Sequence, residues 1–203
     1  MSFNTERFNT NLIRVFDLVS SRFDEVVITG SSAIVFFILH HPSFSADANE
    51  ILEYLGYDAY NGPNDIDLIS ISNTDIHISK IGEFVSEQSI CGSKTFVSSV
   101  YENRRFDIIK MPKCKYIELN GINIIHPSAL IAHYRNNYRD IDERKLAFLI
   151  ENEHIFDEID YEIFDVKHKQ RRTPIDVEDN DVEDNDLIAN MADTSTNVCR
   201  KLF

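Results

Sequence analysis

The segment Ile28-Thr29-Gly30-Ser31-Ser32-Ala33 decides how this chain is interpreted. The run that leads into it, Glu25 to Ile28, is rich in branched apolar residues and predicts a buried strand. Gly30 has no side chain, so a ligand can approach the backbone closely at this point. Ser31 or Ser32 is expected to cap the helix that follows. The free amides and the dipole of that helix favour an anion over the turn, although most Gly-Ser pairs before a helix are plain caps.

The second informative segment is Asn64-Asp65-Ile66-Asp67-Leu68, in which polar and apolar residues alternate. Residues i and i+2 of a strand point to the same face, so Asp65 and Asp67 are predicted to project together. Two adjacent carboxylates repel each other, and a bound Mg²⁺, which takes one or two carboxylates together with phosphate oxygens, relieves that repulsion. The plainer interpretation is an exposed strand that carries two acids. The Gly-Ser turn ahead of the strand favours the metal site.

A third acid, Asp107, stands among the apolar residues of a predicted strand over Arg105 to Ile109. A carboxylate in such a strand is costly unless it is paired or bound to a metal. If this strand lies beside the strand of the acid pair, three acids converge. In the alternative, Asp107 faces solvent and pairs with Arg104 or Arg105.

The order Gly30-Ser31, Asp65-Ile66-Asp67 and Asp107 resembles the signature of the nucleotidyltransferase fold superfamily, the relatives of DNA polymerase beta. Within that superfamily the chain is most similar to the abortive-infection type nucleotidyltransferase toxins and related small transferases, through Pro127 to Ala132 and Arg139 to Glu143. The resemblance covers residues 10 to 152. It implies an α+β fold in which helices pack on a mixed central β-sheet.

The resemblance also implies a metal-dependent enzyme that moves a nucleoside monophosphate from a nucleoside triphosphate (NTP) to a hydroxyl of a protein, an RNA or a small molecule. Asp65 and Asp67 would hold two Mg²⁺ ions, and Asp107 would ligate the metal near the acceptor hydroxyl and help to deprotonate it. The residues expected to contact the nucleotide are Gly30, Ser31, Ser32, Arg135 and Arg139.

Three departures from the family pattern keep a second hypothesis open. Tyr134 stands where a helix lysine is expected, so Arg135 or Arg139 would replace that lysine at the triphosphate. The gap between the Gly-Ser turn and the acid pair is longer than usual and is predicted to hold an extra helix, Ala48 to Leu55. No arginine follows the Gly-Ser turn. The alternative function is therefore a catalytically inactive binding or structural protein that kept the fold and acts through its surface and its acidic tail.

Composition fits one domain with a tail: a nucleotidyltransferase-like domain over residues 1–169, whose helical C-terminal part spans about 127–152, and an acidic tail over 170–203. The sequence contains no run of 18 apolar residues, so it predicts no membrane span. Three scattered cysteines fit a reducing, cytoplasmic compartment rather than a disulfide framework. The net charge of −14 argues against non-specific binding of nucleic acid.

The tail carries a tandem repeat, Asp-Val-Glu-Asp-Asn, at residues 176–180 and 181–185. Its high charge and few aromatic residues predict disorder, because it buries too little apolar surface to offset ordering. It is either a solubilising tail or a docking segment for a basic partner protein.

Apolar spacing and turn signals predict the remaining elements. The best local signal is the hairpin over Lys115 to Ile125, whose two apolar runs are joined by Asn120-Gly121. The other predictions are helices over residues 4–20, 74–88, 128–135 and 141–151, and a strand over 94–100.

Overall fold

The sheet of this protein is mixed, and its centre is the pair of strands that the two informative segments form. A computed structural model describes residues 2–23, 25–71, 83–90, 94–101, 104–136 and 139–165, and the predicted tail over 170–203 lies outside these ranges. Within them the sheet has eight strands in the order β3-β4-β5-β2-β1-β7-β6-β8. The strands are β1 (Val26–Thr29), β2 (Asp65–Ser70), β3 (Glu83–Ile90), β4 (Lys94–Tyr101), β5 (Arg104–Lys110), β6 (Lys113–Leu119), β7 (Ile122–Ile125) and β8 (Glu162–Asp165).

Helices from both ends of the described chain pack around this sheet. They are α1 (Thr5–Ser20), α2 (Gly30–His40), α3 (Ala48–Tyr54), α4 (Pro127–Asn136), α5 (Glu143–Glu151) and α6 (Glu153–Phe156), with a 3₁₀ helix at Asp140–Asp142. Contacts join α1 to β1, and α2 to β1, β2 and β7. The predicted α+β class is therefore confirmed.

The burial pattern explains why α2 is the central helix. Five consecutive apolar residues, Ile34 to Ile38, are all buried. A helix that is apolar on every side is stable only when other elements surround it. The amphipathic α1, by contrast, buries Leu12, Val15 and Val19 and leaves its other face exposed.

The predicted hairpin is present as β6 and β7. Its turn residues, Asn120 and Gly121, have φ angles of 52° and 77°. Both central residues of a type I′ turn need positive φ, which Asn and Gly adopt more readily than other residues. The predicted helices over 4–20, 128–135 and 141–151, and the extra helix over 48–55, are also confirmed within two residues at their ends. The start of the segment predicted over 141–151 is the 3₁₀ helix at Asp140–Asp142.

The helix predicted over residues 74–88 is wrong in its second half. Residues 83–88 belong to β3, which pairs antiparallel with β4, and residues 74–82 lie outside the described ranges. Apolar spacing alone favoured a helix, but pairing with a neighbouring strand decides the outcome because strand formation depends strongly on tertiary context. The elements α6 and β8 carried no clear sequence signal and were not predicted.

One cysteine, Cys114 on β6, is free and buried. Burial raises the pKa of its thiol to about 12. Cys91 and Cys199 lie outside the described ranges, so the predicted compartment stays a prediction. Among the helices that the structure describes, none is both long and apolar enough to cross a membrane.

Candidate active site

Strand pairing brings the three predicted acids together. β2 and β5 run parallel, and Asp67 is the register partner of Asp107. Asp65 and Asp67 share a face of β2, while Ile66 and Leu68 are buried on the other side. One carboxylate oxygen from each of the three acids lies within 4.8 Å of the other two. The three acids therefore converge, as predicted for the case in which β5 lies beside β2. We call Asp65, Asp67 and Asp107 the acid cluster, and its carboxylate oxygens are ligands that suit Mg²⁺.

Gly30 lies directly against the acid cluster. Its φ angle is +63°, and a Cβ atom placed on it would lie 2.2 Å from Oδ2 of Asp67. The register explains this contact, because Thr29 pairs with Asp67 across β1 and β2. Glycine is thus required both by the backbone conformation and by the neighbouring carboxylate. The absence of a side chain at Gly30 therefore makes room for the carboxylate of Asp67.

The environment of Asp67 disfavours a bare carboxylate. Burial and then the charges of Asp65 and Asp107 raise the pKa of Asp67 to about 8, and the positive charges of Arg139 and Lys145 only partly oppose them. Like charges held close together in a half-buried site repel, and a divalent cation relieves that repulsion. The residues present therefore fit a bound cation.

Asp107 also contacts a base. Nε of Arg105 lies 3.4 Å from Oδ1 of Asp107, and the side chain of Arg105 is 56% exposed while that of Asp107 is 6% exposed. The two residues are two apart on β5, so their side chains share a face of the strand. Asp107 is buried in the acid cluster, so the interpretation that it faces solvent is wrong, although the pairing with Arg105 which that interpretation included is present.

Neither serine of the turn caps the helix that follows, which corrects the capping prediction. α2 begins at Gly30, its N-cap residue is Thr29, and no side chain caps it there. Ser32 is fully buried, and its hydroxyl donates to the backbone carbonyl of Asp65 at 2.9 Å. The prediction that Ser32 caps the helix is therefore wrong, because this hydroxyl is bonded to the strand of the acid pair. A contact between Ser32 and phosphate stays a prediction.

Ser31 is half-buried and is hydrogen-bonded to the hydroxyl of Tyr134 on α4. Tyr134 is buried, and that burial, with the nearby charge of Asp142, raises the pKa of its hydroxyl. The tyrosine that replaces the expected lysine is therefore a buried, neutral group beside Ser31. Any positive charge at this side has to come from elsewhere.

That charge comes from a network around Asp142. Nε of Arg139 donates to Oδ2 of Asp142 at 2.5 Å, and Nζ of Lys145 donates to Oδ1 at 2.8 Å. Asp142 is buried; burial raises its pKa, but the hydrogen bonds from the two bases outweigh this and the pKa is lowered. Both bases also act on Asp67 electrostatically. Together with Arg105, which contacts Asp107, they supply positive charge that acts on the acid cluster.

Two other bases, Arg135 and Arg144, lie close in sequence to Arg139 and Lys145. Arg135 is exposed and follows Tyr134 by one position, which is about 100° around an α-helix. Arg144 donates from Nη1 to the carbonyl of Tyr54 at 3.1 Å and so ties α5 to the end of α3. Of the two predicted arginines, Arg139 therefore acts on Asp67 electrostatically, and the exposed Arg135 has no described contact with the acid cluster. Nucleotide binding by either arginine stays a prediction.

The sequence assigned no role to Asp142, and Lys145 was only one of four bases, with Arg135, Arg139 and Arg144, that are close in sequence and could line one side of the cleft. A signal was present: Arg139, Asp142 and Lys145 are spaced three residues apart, the spacing at which opposite charges meet on a helix. The pattern does not say that the acid is buried, and burial is what fixes the two bases in place.

Comparison with known proteins adds no relative to this geometry. No protein-family model matches the chain, no curated protein matches it, and no solved structure matches it. The resemblance to nucleotidyltransferases therefore stays a prediction drawn from short motifs.

Proposed function

We propose that this protein is a metal-dependent nucleotidyltransferase with a nucleotidyltransferase-like fold. The observation that carries the proposal is the acid cluster, in which three carboxylates meet beside a glycine turn at the start of a helix. Asp65, Asp67 and Asp107 would hold Mg²⁺, expected as two ions. When bound, the metal would supply charge stabilisation at the phosphate oxygens.

The chain's own groups supply the rest of the site. The first amides of α2 have no side-chain cap and favour an anion, so they would bind phosphates of an NTP. Arg139 and Lys145 would add positive charge on the same side. The acceptor oxygen would attack the α-phosphorus, pyrophosphate would leave, and the carboxylate of Asp107 would take the hydroxyl proton.

Binding and transfer together test this proposal. A thermal-unfolding series with Mg-ATP, Mg-GTP, Mg-CTP and Mg-UTP should show stabilisation by at least one of them, amounting to about 2.7 kcal/mol at a hundred times the dissociation constant. Asp67→Asn should abolish it, while Glu118→Gln, an exposed acid on β6, should not. α-Labelled NTP should modify an acceptor in a lysate, and label transfer that survives Asp65→Asn with Asp67→Asn would refute the site.

A second candidate function is a non-catalytic binding module. The contact between Arg105 and Asp107 favours it, because a carboxylate that already has a cationic partner depends less on a metal. If this alternative is correct, the midpoint of thermal unfolding should not change when any of the four NTPs is added with Mg²⁺. This alternative also expects Mg²⁺ alone to leave the midpoint of the intact chain and of Asp67→Asn equally unchanged.

A further inference from the structure

Arg105 belongs to the face of the sheet that carries the acid cluster. It is the register partner of Asp65, as Asp107 is the register partner of Asp67. Residues two apart on a strand share a face, so the four side chains form a square in which one arginine stands beside three carboxylates. The pairing of β2 with β5 therefore places a positive charge of the chain itself next to the acids that are expected to hold a metal.

The contact between Arg105 and Asp107 is of a kind that can be exchanged. The distance of 3.4 Å from Nε to Oδ1 is longer than most N–H···O hydrogen bonds, and the arginine side chain is 56% exposed. Ion pairs that water screens hold their partners loosely. A divalent ion carries twice the charge of a guanidinium and can contact several carboxylates at once. Arg105 is therefore expected to leave Asp107 when Mg²⁺ binds the acid cluster.

This exchange sets Arg105 and the metal in competition. In the metal-free protein the charge of Arg105 offsets part of the repulsion among the three acids, and it engages one oxygen of Asp107. Metal binding has to replace that contact, and a site that must first be vacated binds with reduced apparent affinity. The acid cluster should therefore bind Mg²⁺ less tightly with Arg105 in place than without it.

The arginine that leaves Asp107 remains beside the expected phosphates. Arg105 lines a surface groove together with Asp65, so its side chain is open to a ligand on the acid side of the sheet. A guanidinium is planar, keeps its charge at all ordinary pH values, and can bind two phosphate oxygens at once. Because Arg105 reaches Asp107 directly, it can also reach an anion on a metal that Asp107 ligates.

We propose that Arg105 is an exchangeable cation of the active site, which holds Asp107 while no metal is bound and binds a phosphate group of the NTP once the metal takes its place. This inference rests on the proposed function. The exchange would also prepare Asp107, since its carboxylate can ligate the metal and accept the proton of the acceptor hydroxyl only after Arg105 has left it. Removal of the arginine should therefore have opposite effects on the two ligands, with tighter binding of the metal and weaker binding of the NTP.

Calorimetric titration of the full chain tests the exchange in two steps. Mg²⁺ alone is first titrated into the metal-free protein, and Arg105→Gln should bind it about threefold more tightly than the wild type does. Non-hydrolysable analogues of ATP, GTP, CTP and UTP are then titrated at a Mg²⁺ concentration that saturates both proteins. The analogue that the wild type binds best should bind Arg105→Gln about tenfold more weakly, because a hydrogen bond between charged groups is lost.

Arg7→Gln is the matched control. Arg7 is also an exposed arginine that lines the same groove, and within the described part of the chain it has no contact with the acid cluster. Its substitution should change each affinity by no more than about twofold, since exposed charges without a direct contact are screened by salt. Arg105→Lys keeps the charge but loses the planar fork, so it should restore part of the affinity for the analogue relative to Arg105→Gln.

The sign of the change in Mg²⁺ affinity separates this exchange from a structural role. If the contact with Asp107 only kept the site in shape, Arg105→Gln would loosen the site and weaken Mg²⁺ binding. Weaker or unchanged Mg²⁺ binding, or an unchanged affinity for the analogue, would therefore overturn the inference while the proposed function stands. If no analogue binds the wild type at saturating Mg²⁺, the proposed function fails and the inference fails with it.

Discussion

Two groups of charged residues belong to the candidate site, and they are held in opposite ways. The acid cluster brings like charges together, because the pairing of β2 with β5 leaves Asp67 and Asp107 side by side. The network around Asp142 brings opposite charges together, with one buried acid between Arg139 and Lys145. The first arrangement destabilises the metal-free fold, and the second supports it. The same chemical change, an aspartate replaced by asparagine, should therefore have opposite effects in the two regions.

The largest effect is expected on the Asp142 side. Asp142→Asn leaves two bases without their carboxylate, and breaking a buried ion pair costs about 3 kcal/mol of unfolding free energy. Urea unfolding measures this loss. The matched control is Asp140→Asn, an exposed acid in the same 3₁₀ helix, which should stay within about 0.5 kcal/mol of the wild type. Equal effects of the two substitutions would mean that the network does not support the fold.

The next effect tests the point where the turn meets the acid cluster. Gly30→Ala should destabilise by about 2–3 kcal/mol, since it adds an unfavourable positive φ to a clash with Asp67. Gly56→Ala separates the two causes, because Gly56 has a φ of +87° with nothing within 4 Å of a Cβ atom. The difference between the two losses in urea unfolding reports the contact alone. A loss at Gly30 no greater than that at Gly56 would contradict the close approach.

A smaller effect of opposite sign is expected at Asp67. In the absence of divalent metal, Asp67→Asn removes a repelled charge and should stabilise the fold by about 2 kcal/mol. The measurement is urea unfolding with a chelator present, and Glu118→Gln is the control that changes an exposed acid outside the acid cluster. A destabilised Asp67→Asn would show that this carboxylate makes favourable contacts that outweigh the repulsion.

The smallest effect is a pH dependence of that difference. Because the pKa of Asp67 is raised to about 8, the folded state binds a proton where the unfolded state does not, and stability gains as pH falls from about 8 toward the ordinary value. The advantage of Asp67→Asn over the wild type should therefore shrink between about pH 8 and pH 5. Asp142 has a lowered pKa, so its contribution is lost only below its ordinary value of 3.8.

Urea unfolding curves of the wild type and of Asp67→Asn at several pH values, without metal, measure how the stability difference depends on pH. Buried or half-buried histidines with lowered pKa values weaken the fold as pH falls, but they are common to both proteins and cancel in the difference. They are His40, His41, His126 and His133. A difference that stays constant with pH would contradict the raised pKa of Asp67.

The two regions also differ in how far the sequence predicts them. The positions of Asp65 and Asp67 follow from the period of a strand, and Asp107 needed only the additional fact that β5 lies beside β2. The Asp142 network depends on how α4 and α5 pack, and charge spacing alone does not reveal which acid is buried. Ser32 shows the same limit, because its bond to the carbonyl of Asp65 joins residues that are distant in sequence.

The fold shows a similar division. The hairpin at Asn120-Gly121 was predictable because the turn residues specify their own conformation. β3 was not, because its apolar residues also fit a helix and only pairing with β4 selects the strand. β8 pairs with β6 at the edge of the sheet, and it was not predicted because no turn signal in the sequence precedes it.

The buried thiol of Cys114 gives the folded protein an internal reporter of opening. A thiol with a pKa of about 12 carries almost no reactive thiolate at neutral pH, and burial keeps alkylating reagents away. Because the side chain of Cys114 is buried, labelling at this position requires the structure around β6 to open. Peptide mapping of iodoacetamide adducts at this position would therefore count opening events in the native protein, with no added dye or engineered probe.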